Sequence, residues 1–535
     1  MKFRPWLQGA GLAMLYLLVP LAEFLSPARR NFYHQLLPIT TLTRGLLIDV
    51  LLLGALAGFG FLLLDRATPR LKQILWLPVF FVASWIAARN ISNSITVPML
   101  RGHLLQLTPY FPWAALAVVV VLLRWLPRAY NDCVRAAAVI FAAAGIALLL
   151  VILPRLVMAC FSRMPREQAG YTHTVSNPWR PGQMRVVWIL FDELSYNQAF
   201  EHRQPGIDLP AFTKLAGESV TFSQLAPVGY ETEQVIPSLL LGQPVADVKG
   251  DADGRMLLRH DPNAPWQYFD QNATVFAAAK RQGWGTGVAG WYNPYCRILD
   301  QVLDRCYWTY NPTFVGELFS HFSAEQSAWK NARNGLPLAG RFESVWYKLP
   351  PNQGVRKDYR NILREGKALI QDPNIRLAFI HMSVPHPPGL FRNPTVAGPD
   401  AVDYLGNLIL ADQTLSQFLN VLATSPAAAD TVLMVSSDHS WRVPRWRGVG
   451  WTTAEERATN GGVFDPRPVL MVRFPGHATP EHLNAQQIDR PESEMIEYRL
   501  LLDLIDGKVR TPEDWINTLP SAATAAGQGE QTAKK

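Results

Sequence analysis

Apolar residues are distributed in two different ways along this 535-residue chain. Before residue 161 they form long, nearly unbroken runs. After it they form short runs separated by polar, periodic stretches. Five early runs, Trp6–Leu25, Leu46–Leu64, Ile74–Ala88, His103–Leu123 and Ala136–Cys160, approach or exceed the ~20 apolar residues that a helix needs to cross the hydrocarbon core of a bilayer. A cleavable secretory signal has a shorter apolar region of about 7–15 residues, so the first run is expected to remain as a helix.

The later runs have the length of strands. Val186–Phe191, Leu377–Ile380, Val432–Val435 and Val469–Val472 are continuously apolar, as strands buried on both faces of a parallel sheet are. Between them, Tyr359–Ile370 and Ala401–Val421 carry helical periodicity. The alternation predicts an α/β domain with a mainly parallel central sheet. The expected organisation is a multi-span transmembrane α-helical region of about five helices over 1–162, a polar linker over 163–185, a globular α/β domain over 186–518, and a disordered Ala/Gly/Gln/Lys-rich tail over 519–535.

The net charge of +7 is spread too diffusely to suggest a nucleic-acid partner. Basic loop residues do orient the spans. Lys2, Arg4, Arg66, Arg70, Lys72, Arg124, Arg128 and Arg135 fall on one side, against Arg29, Arg30, Arg89 and Arg101 on the other. With the N-terminus inside, everything after residue 161 lies outside, although Arg163 and Arg166 run mildly against this. A bacterial inner membrane with a periplasmic domain is expected. Of the four cysteines, Cys296 and Cys306 lie close together in the later part, and a disulfide between them suits that compartment.

In open parallel sheets, sites form beyond the carboxyl ends of the strands. Here one strand runs into Asp192 and Glu193, a second into His381 with His386 just beyond, and a third into Ser436, Ser437, Asp438 and His439. Asp192, Asp438 and His439 offer oxygen and nitrogen without thiolate, a set that suits zinc, manganese or magnesium. Such an ion would polarise a phosphoryl or sulfuryl oxygen. Thr232 opens the apolar stretch of Gly229–Gly242. At a helix start it is either a nucleophile favoured by backbone N–H groups or a simple cap. Arg442, Arg445 and Arg447 could grip an acidic group bidentately, with Trp441 and Trp446 against sugar rings or the bilayer; the alternative is a solvated basic loop.

Together, Phe191-Asp-Glu-Leu194, Thr232 with Ile236-Pro-Ser-Leu-Leu-Leu-Gly242, Val384-Pro-His-Pro-Pro388 and Ser436-Ser-Asp-His439 resemble the alkaline phosphatase/sulfatase superfamily. The five-span layout is similar to its membrane branch, the phosphoethanolamine transferases, phosphoglycerol transferases and lipoteichoic acid synthases. The resemblance covers most of residues 183–475. It implies Asp192, Asp438 and His439 as metal ligands with Glu193 as companion, and Thr232 as a metal-bound nucleophile that forms a phospho-threonine. It implies His386 at the leaving group, and His381, Trp441, Arg442 and Arg445 at the substrate. Tyr404–Asp412 resembles the helix beside the site.

Two departures bear on the chemistry. No Cys-x-Pro-x-Arg occurs, and the one Ser-x-Pro-x-Arg, Ser176-Asn-Pro-Trp-Arg180, lies in the polar linker ahead of the first predicted strand, so formylglycine-type sulfate hydrolysis is not expected. Ser440 stands where the family has glycine, and the further zinc-ligand histidines of the phosphatases are missing, which leaves one divalent ion: zinc or manganese, with magnesium or calcium as alternatives. The first expectation is transfer of a phosphoethanolamine- or phosphoglycerol-type group from a lipid donor to an envelope glycan or lipid. Hydrolysis of phosphate or sulfate esters is the second, and a non-catalytic glycan-binding or assembly role the third.

Overall fold

The structure is a computed structural model that describes residues 3–25, 39–94, 107–161, 170–251, 255–310, 324–334, 353–391, 404–449, 453–476 and 486–519. Lys2, Arg29, Arg30, Arg101, Arg163, Arg166 and the tail beyond Leu519 lie outside the described residues. The chain divides into two compact units, one built mainly from residues before 168 and the other from most of the remainder.

In the first unit, helices lie at all five apolar runs. Three are long and apolar enough to cross a membrane: Thr43–Arg66, Pro69–Ser92 and Pro127–Cys160. Phe111–Trp125 is apolar but shorter. The first run is interrupted at Leu17, with helices Arg4–Tyr16 and Leu18–Leu25 on either side. Glycines let the first helix approach its neighbours closely. A Cβ on Gly9 would stand 2.2 Å from the Gly58 nitrogen, and one on Gly11 would stand 1.7 Å from the Phe141 carbonyl oxygen. Small residues at such crossings are how apolar helices gain packing where water supplies no driving force. This unit also takes in helix Ala324–Asn334, which packs on Ile39–Arg66 and whose Ala332 carbonyl accepts from the hydroxyl of Tyr16, the last residue of the first helix (2.5 Å).

The second unit holds fourteen strands among its described residues: β1 (Gly170–Thr172), β2 (Arg185–Phe191), β3 (Val220–Phe222), β4 (Leu225–Ala226), β5 (Asp247–Gly250), β6 (Met256–Arg259), β7 (Gln267–Tyr268), β8 (Gly285–Trp291), β9 (Arg305–Thr309), β10 (Ile375–Met382), β11 (Thr431–Ser437), β12 (Leu470–Arg473), β13 (Gln486–Ile488) and β14 (Glu492–Ser493). Nine form one sheet in the order β1-β9-β8-β10-β2-β11-β12-β3-β13. The five from β9 to β11 run parallel. β12, the run Val469–Val472 of the sequence, joins β11 antiparallel. β10, β2 and β11, which carry the candidate ligands, are direct neighbours, with His381 opposite Leu190 and Ser437 opposite Phe191. The apolar runs are buried on both faces as expected, every residue of β2, β10 and β11 being buried.

One buried charge ties this sheet to a helix. Arg185 is fully buried and donates to the carbonyls of Leu369 (2.7 Å), Ile370 (2.8 Å), Asp372 (3.1 Å) and Ile375 (3.0 Å). It thereby caps the orphan carbonyls at the end of helix Gln353–Gln371. Burial lowers its pKa to about 10, which leaves it charged at neutral pH. Arg185→Met is expected to cost about 3 kcal/mol, because it strands several buried acceptors at once. The loss would appear in chemical denaturation as a lower midpoint at unchanged slope.

Candidate metal centre

The three neighbouring strands end at one place. Asp192 follows β2, Asp438 follows β11, and His381 sits within the last turn of β10's pleat, one residue before its end. Ligand atoms of Asp192, His381 and Asp438 all lie within 4.8 Å of one another. His439 Nε2 joins them, 3.2 Å from Asp438 Oδ2 and 4.0 Å from Asp192 Oδ1. All four residues are fully buried.

This group fits a cation on its own chemistry. Both oxygens of Asp192 and the Nε2 of His381 are buried with no hydrogen-bond partner among the described residues. Buried polar atoms without partners are costly and rare, and a shared positive ion would satisfy them together. The tautomers agree. His439 Nδ1 faces the Ser440 carbonyl (3.0 Å), so it carries the proton and Nε2 presents its lone pair. His381 Nδ1 is bonded to the Tyr295 hydroxyl (2.8 Å), with Nε2 towards the carboxylates. Burial lowers both imidazoles to about 4, so they remain neutral ligands at neutral pH. Two carboxylates and two imidazoles match zinc or manganese.

Burial, and then the nearby Asp438 carboxylate, push Asp192 well above the usual carboxylate range; burial likewise raises Asp438. The metal-free pair therefore retains a proton above the pH at which ordinary carboxylates lose theirs, and a cation must displace it. Affinity for zinc is expected to rise with pH as this proton is lost, while the histidines compete only near pH 4. Competition against a chelator between about pH 5.5 and 8 measures it; a flat profile would contradict the assignment.

Thr232 is the first residue of helix Thr232–Leu241, which Gly242 ends in the left-handed region (φ 71°). A Cβ at 242 would also meet the Tyr498 ring at 2.2 Å. The Thr232 hydroxyl lies 3.4 Å from His439 Nε2, at a helix N-terminus where an oxyanion is favoured.

Glu193 is placed differently from the expected companion ligand. It has φ 66°, a costly conformation for a non-glycine residue. In that conformation its N–H donates to Asp438 Oδ1 (3.1 Å) and its carbonyl accepts from the Tyr404 hydroxyl (2.8 Å). Its carboxylate is taken up by the Arg442 guanidinium and by Trp446 Nε1 (2.8 Å). The strain falls at Glu193 rather than at Ser440, which is not among the positive-φ residues.

The Arg442 loop is also not free to bind substrate as it stands. Arg442 spans Glu193 and Glu231, the latter at 2.5 Å, and Arg445 reaches Glu231 at 3.3 Å. Trp441 is 1% exposed and stacked on Tyr404 with centroids 4.1 Å apart, so it is a core residue rather than a sugar platform. The half-buried aromatic beside the site is Trp446, whose ring packs on His386 (5.2 Å). Trp291 packs on His386 from elsewhere (5.1 Å).

Helix Tyr404–Ala423 organises these loops. Tyr404 fixes the turn after Asp192, and its hydroxyl also accepts from Ser195 N (3.2 Å). Asn407 holds the His386 loop, its Nδ2 donating to the carbonyls of His386 and Pro388 (each 3.0 Å) and its Oδ1 accepting from Leu390 N (2.7 Å). Sequence reasoning flagged this helix but missed Asn407, Tyr295, Trp291 and Glu231. The aromatic run Trp291-Tyr-Asn-Pro-Tyr295 was the available signal. Cys296 and Cys306 form a disulfide.

No family model matches this chain, and no curated protein matches it. It is similar in structure to a Bacteroides thetaiotaomicron protein of a locus for metabolism of multiple glycosaminoglycans, at 16% identity over 65% of this chain and 82% of that one, with a TM-score of 0.41. It is similar to an alkaline phosphatase superfamily protein from Vibrio parahaemolyticus, at 16% identity over 64% and 72%, with a TM-score of 0.39. A third is a phosphonate monoester hydrolase of Agrobacterium radiobacter, at 15% identity over 61% and 74%, with a TM-score of 0.36.

Proposed function

We propose that this chain is a membrane-anchored, metal-dependent enzyme of the alkaline phosphatase/sulfatase superfamily that transfers a phospho-alcohol group from a lipid donor to an envelope glycan or lipid through Thr232. The observation that carries the reading is the convergence of Asp192, His381, Asp438 and His439, with ligand atoms left without partners, beside a hydroxyl at a helix N-terminus. A divalent cation held by these four residues would stabilise negative charge on the ester oxygens and favour the ionised form of the Thr232 hydroxyl.

In the first half-reaction the Thr232 oxygen attacks phosphorus, the bond to the lipid alcohol breaks, and the alcohol leaves with a proton. In the second an acceptor hydroxyl attacks phospho-threonine, the P–Oγ bond breaks, and Thr232 is restored. His386 suits the second half. Its Nδ1 is bonded to the Pro387 carbonyl, so Nε2 is the acceptor. Burial, then Arg442 and Arg445, hold it well below the ordinary histidine range. It is therefore suited to take a proton from the acceptor hydroxyl, and less to the leaving-group acid role implied by the resemblance.

The three spanning-length helices support a lipid donor, which arrives in the bilayer plane. The Cys296–Cys306 disulfide and the basic-loop asymmetry support a bacterial inner membrane with this domain on the periplasmic side. Incubation with fluorescent phosphatidylethanolamine or phosphatidylglycerol, followed by intact mass measurement, tests the reading. A headgroup-phosphate adduct at Thr232 is expected. Headgroup release to water at full rate, with no adduct and no need of an acceptor, would make the enzyme a hydrolase instead.

A further inference from the structure

A cleft lies on the same unit as the metal cluster, lined in part by Ser195 and Trp441, each three residues beyond a cluster aspartate. It occupies about 890 Å³ between the turn after β2, Ser195–Gln204, and the segment Arg457–Arg467. That is towards the upper end of the ~300–1,000 Å³ typical of small-molecule sites. None of the four metal-cluster residues lines it.

Its polar groups are fixed by the protein. Arg467 is committed to Glu201 (2.5 Å), Asp465 (2.6 Å) and the Ser223 carbonyl (2.8 Å). Asn197 Nδ2 reaches Asp465 (3.3 Å) and His202 Nδ1 (3.0 Å). Gln198 is 4% exposed and anchored by Nε2 on the Ala458 carbonyl (3.0 Å), while its Oε1 is buried without a partner among the described residues. Arg457 is exposed, Phe464 is half-buried and Val463 is 63% exposed. Phe464 meets the exposed ring of Tyr230 (6.1 Å), two residues before Thr232. The cleft thus adjoins the nucleophile segment.

This lining suits one class of ligand. Arg467 ion-pairs with both Glu201 and Asp465 and leaves one negative charge among the three, while Arg203 donates to the Ala199 carbonyl and the Thr213 hydroxyl, so the lining carries both signs of charge and is not a purely cationic cradle for a bare anion. It offers Arg457 as an exposed donor and Asn197, His202 and Glu201 as polar groups held by their neighbours, beside an apolar patch at Val463 and Phe464. A sugar chain needs that mixture, because each hydroxyl both donates and accepts while the C–H face of the ring seeks apolar surface. We propose that this cleft binds an oligosaccharide, the glycan portion of the acceptor. The proposal rests on the transferase reading for its role, and on the cleft alone for binding.

The test uses the full chain in a detergent without a sugar headgroup. Maltohexaose, chitohexaose and hexagalacturonate, which are neutral, N-acetylated and acidic, are presented separately, and binding is read by saturation-transfer NMR and titration. At least one is expected to bind. Arg457→Ala combined with Phe464→Ala should weaken it by ~10-fold or more, since rigid aromatic and Arg contacts dominate such sites. Arg457→Glu, a single surface change, serves as the second variant should the double one fail to fold, and should weaken hexagalacturonate most. Asp438→Asn should leave binding unchanged. No binding of any probe, or binding indifferent to both cleft variants, overturns the proposal. Loss of binding in Asp438→Asn would overturn it too, by moving the sugar to the metal centre. An adduct at Thr232 without sugar binding would sink the cleft and spare the transferase, and sugar binding without an adduct would do the reverse.

Discussion

Thr232→Ala is expected to lower turnover of a phosphodiester substrate by ~10⁴-fold or more, with metal content and melting temperature close to those of the parent. Thr232 is the residue whose only polar atom meets the cluster without building it. Its hydroxyl lies 3.4 Å from His439 Nε2, while the orphaned ligand atoms belong to Asp192, His381 and Asp438. The substitution removes one hydroxyl and one methyl at the first position of a helix whose preceding residue, Glu231, makes no side-chain cap. Thr232→Ser restores the hydroxyl and should recover part of the rate. Release of p-nitrophenol from bis(p-nitrophenyl) phosphate reads turnover, and metal analysis on the same samples reads the site. Retention of full activity in the alanine variant would remove Thr232 from the chemistry.

Asp438→Asn is expected to strip the metal. Loss of a partner outside the ligand set typically weakens metal affinity by ~10–100-fold, so loss of a ligand oxygen should exceed that range. Asp438 Oδ1 accepts from the backbones of Glu193 (3.1 Å) and His439 (2.9 Å), and an asparagine oxygen can keep both bonds. Oδ2, near His439 Nε2, is the oxygen replaced. The order of stabilities distinguishes this from general damage. Without metal, the parent buries two carboxylates, both raised by burial and Asp192 further by Asp438, so the chelated variant should melt above the chelated parent. With metal added, the parent gains by mass action and the order should reverse. Unchanged metal content in the variant would refute the centre.

Much of the sheet was legible because β2, β10 and β11 are rich in branched apolar residues, and runs of that kind suit only strands covered on both faces. β8 was not. Gly285-Thr-Gly-Val-Ala-Gly-Trp291 has weak strand propensity, and its glycines answer to tertiary contacts: a Cβ on Gly290 would meet the Tyr295 ring at 2.3 Å. The strand-end rule located Asp192, Asp438 and His439, and it located His381 without revealing that its nitrogen faces the carboxylates. It could not say where Glu193 points, since that depends on a positive φ and on Arg442, 249 positions away. Arg442 and Trp441 read as surface groups because the loop is polar. The carboxylates and the tyrosine ring that claim them lie elsewhere in the chain.

The glycines at the crossings of the first helix set how much change that part of the chain tolerates. A Cβ on Gly9, Gly11 or Gly145 would meet backbone atoms at 2.2, 1.7 and 2.0 Å. Backbone cannot turn aside as a flexible side chain can, so even a single methyl would force whole helices apart. The tightest packing in this unit thus rests on positions that carry no side chain at all, and their sequence freedom is far smaller than their lack of chemistry suggests.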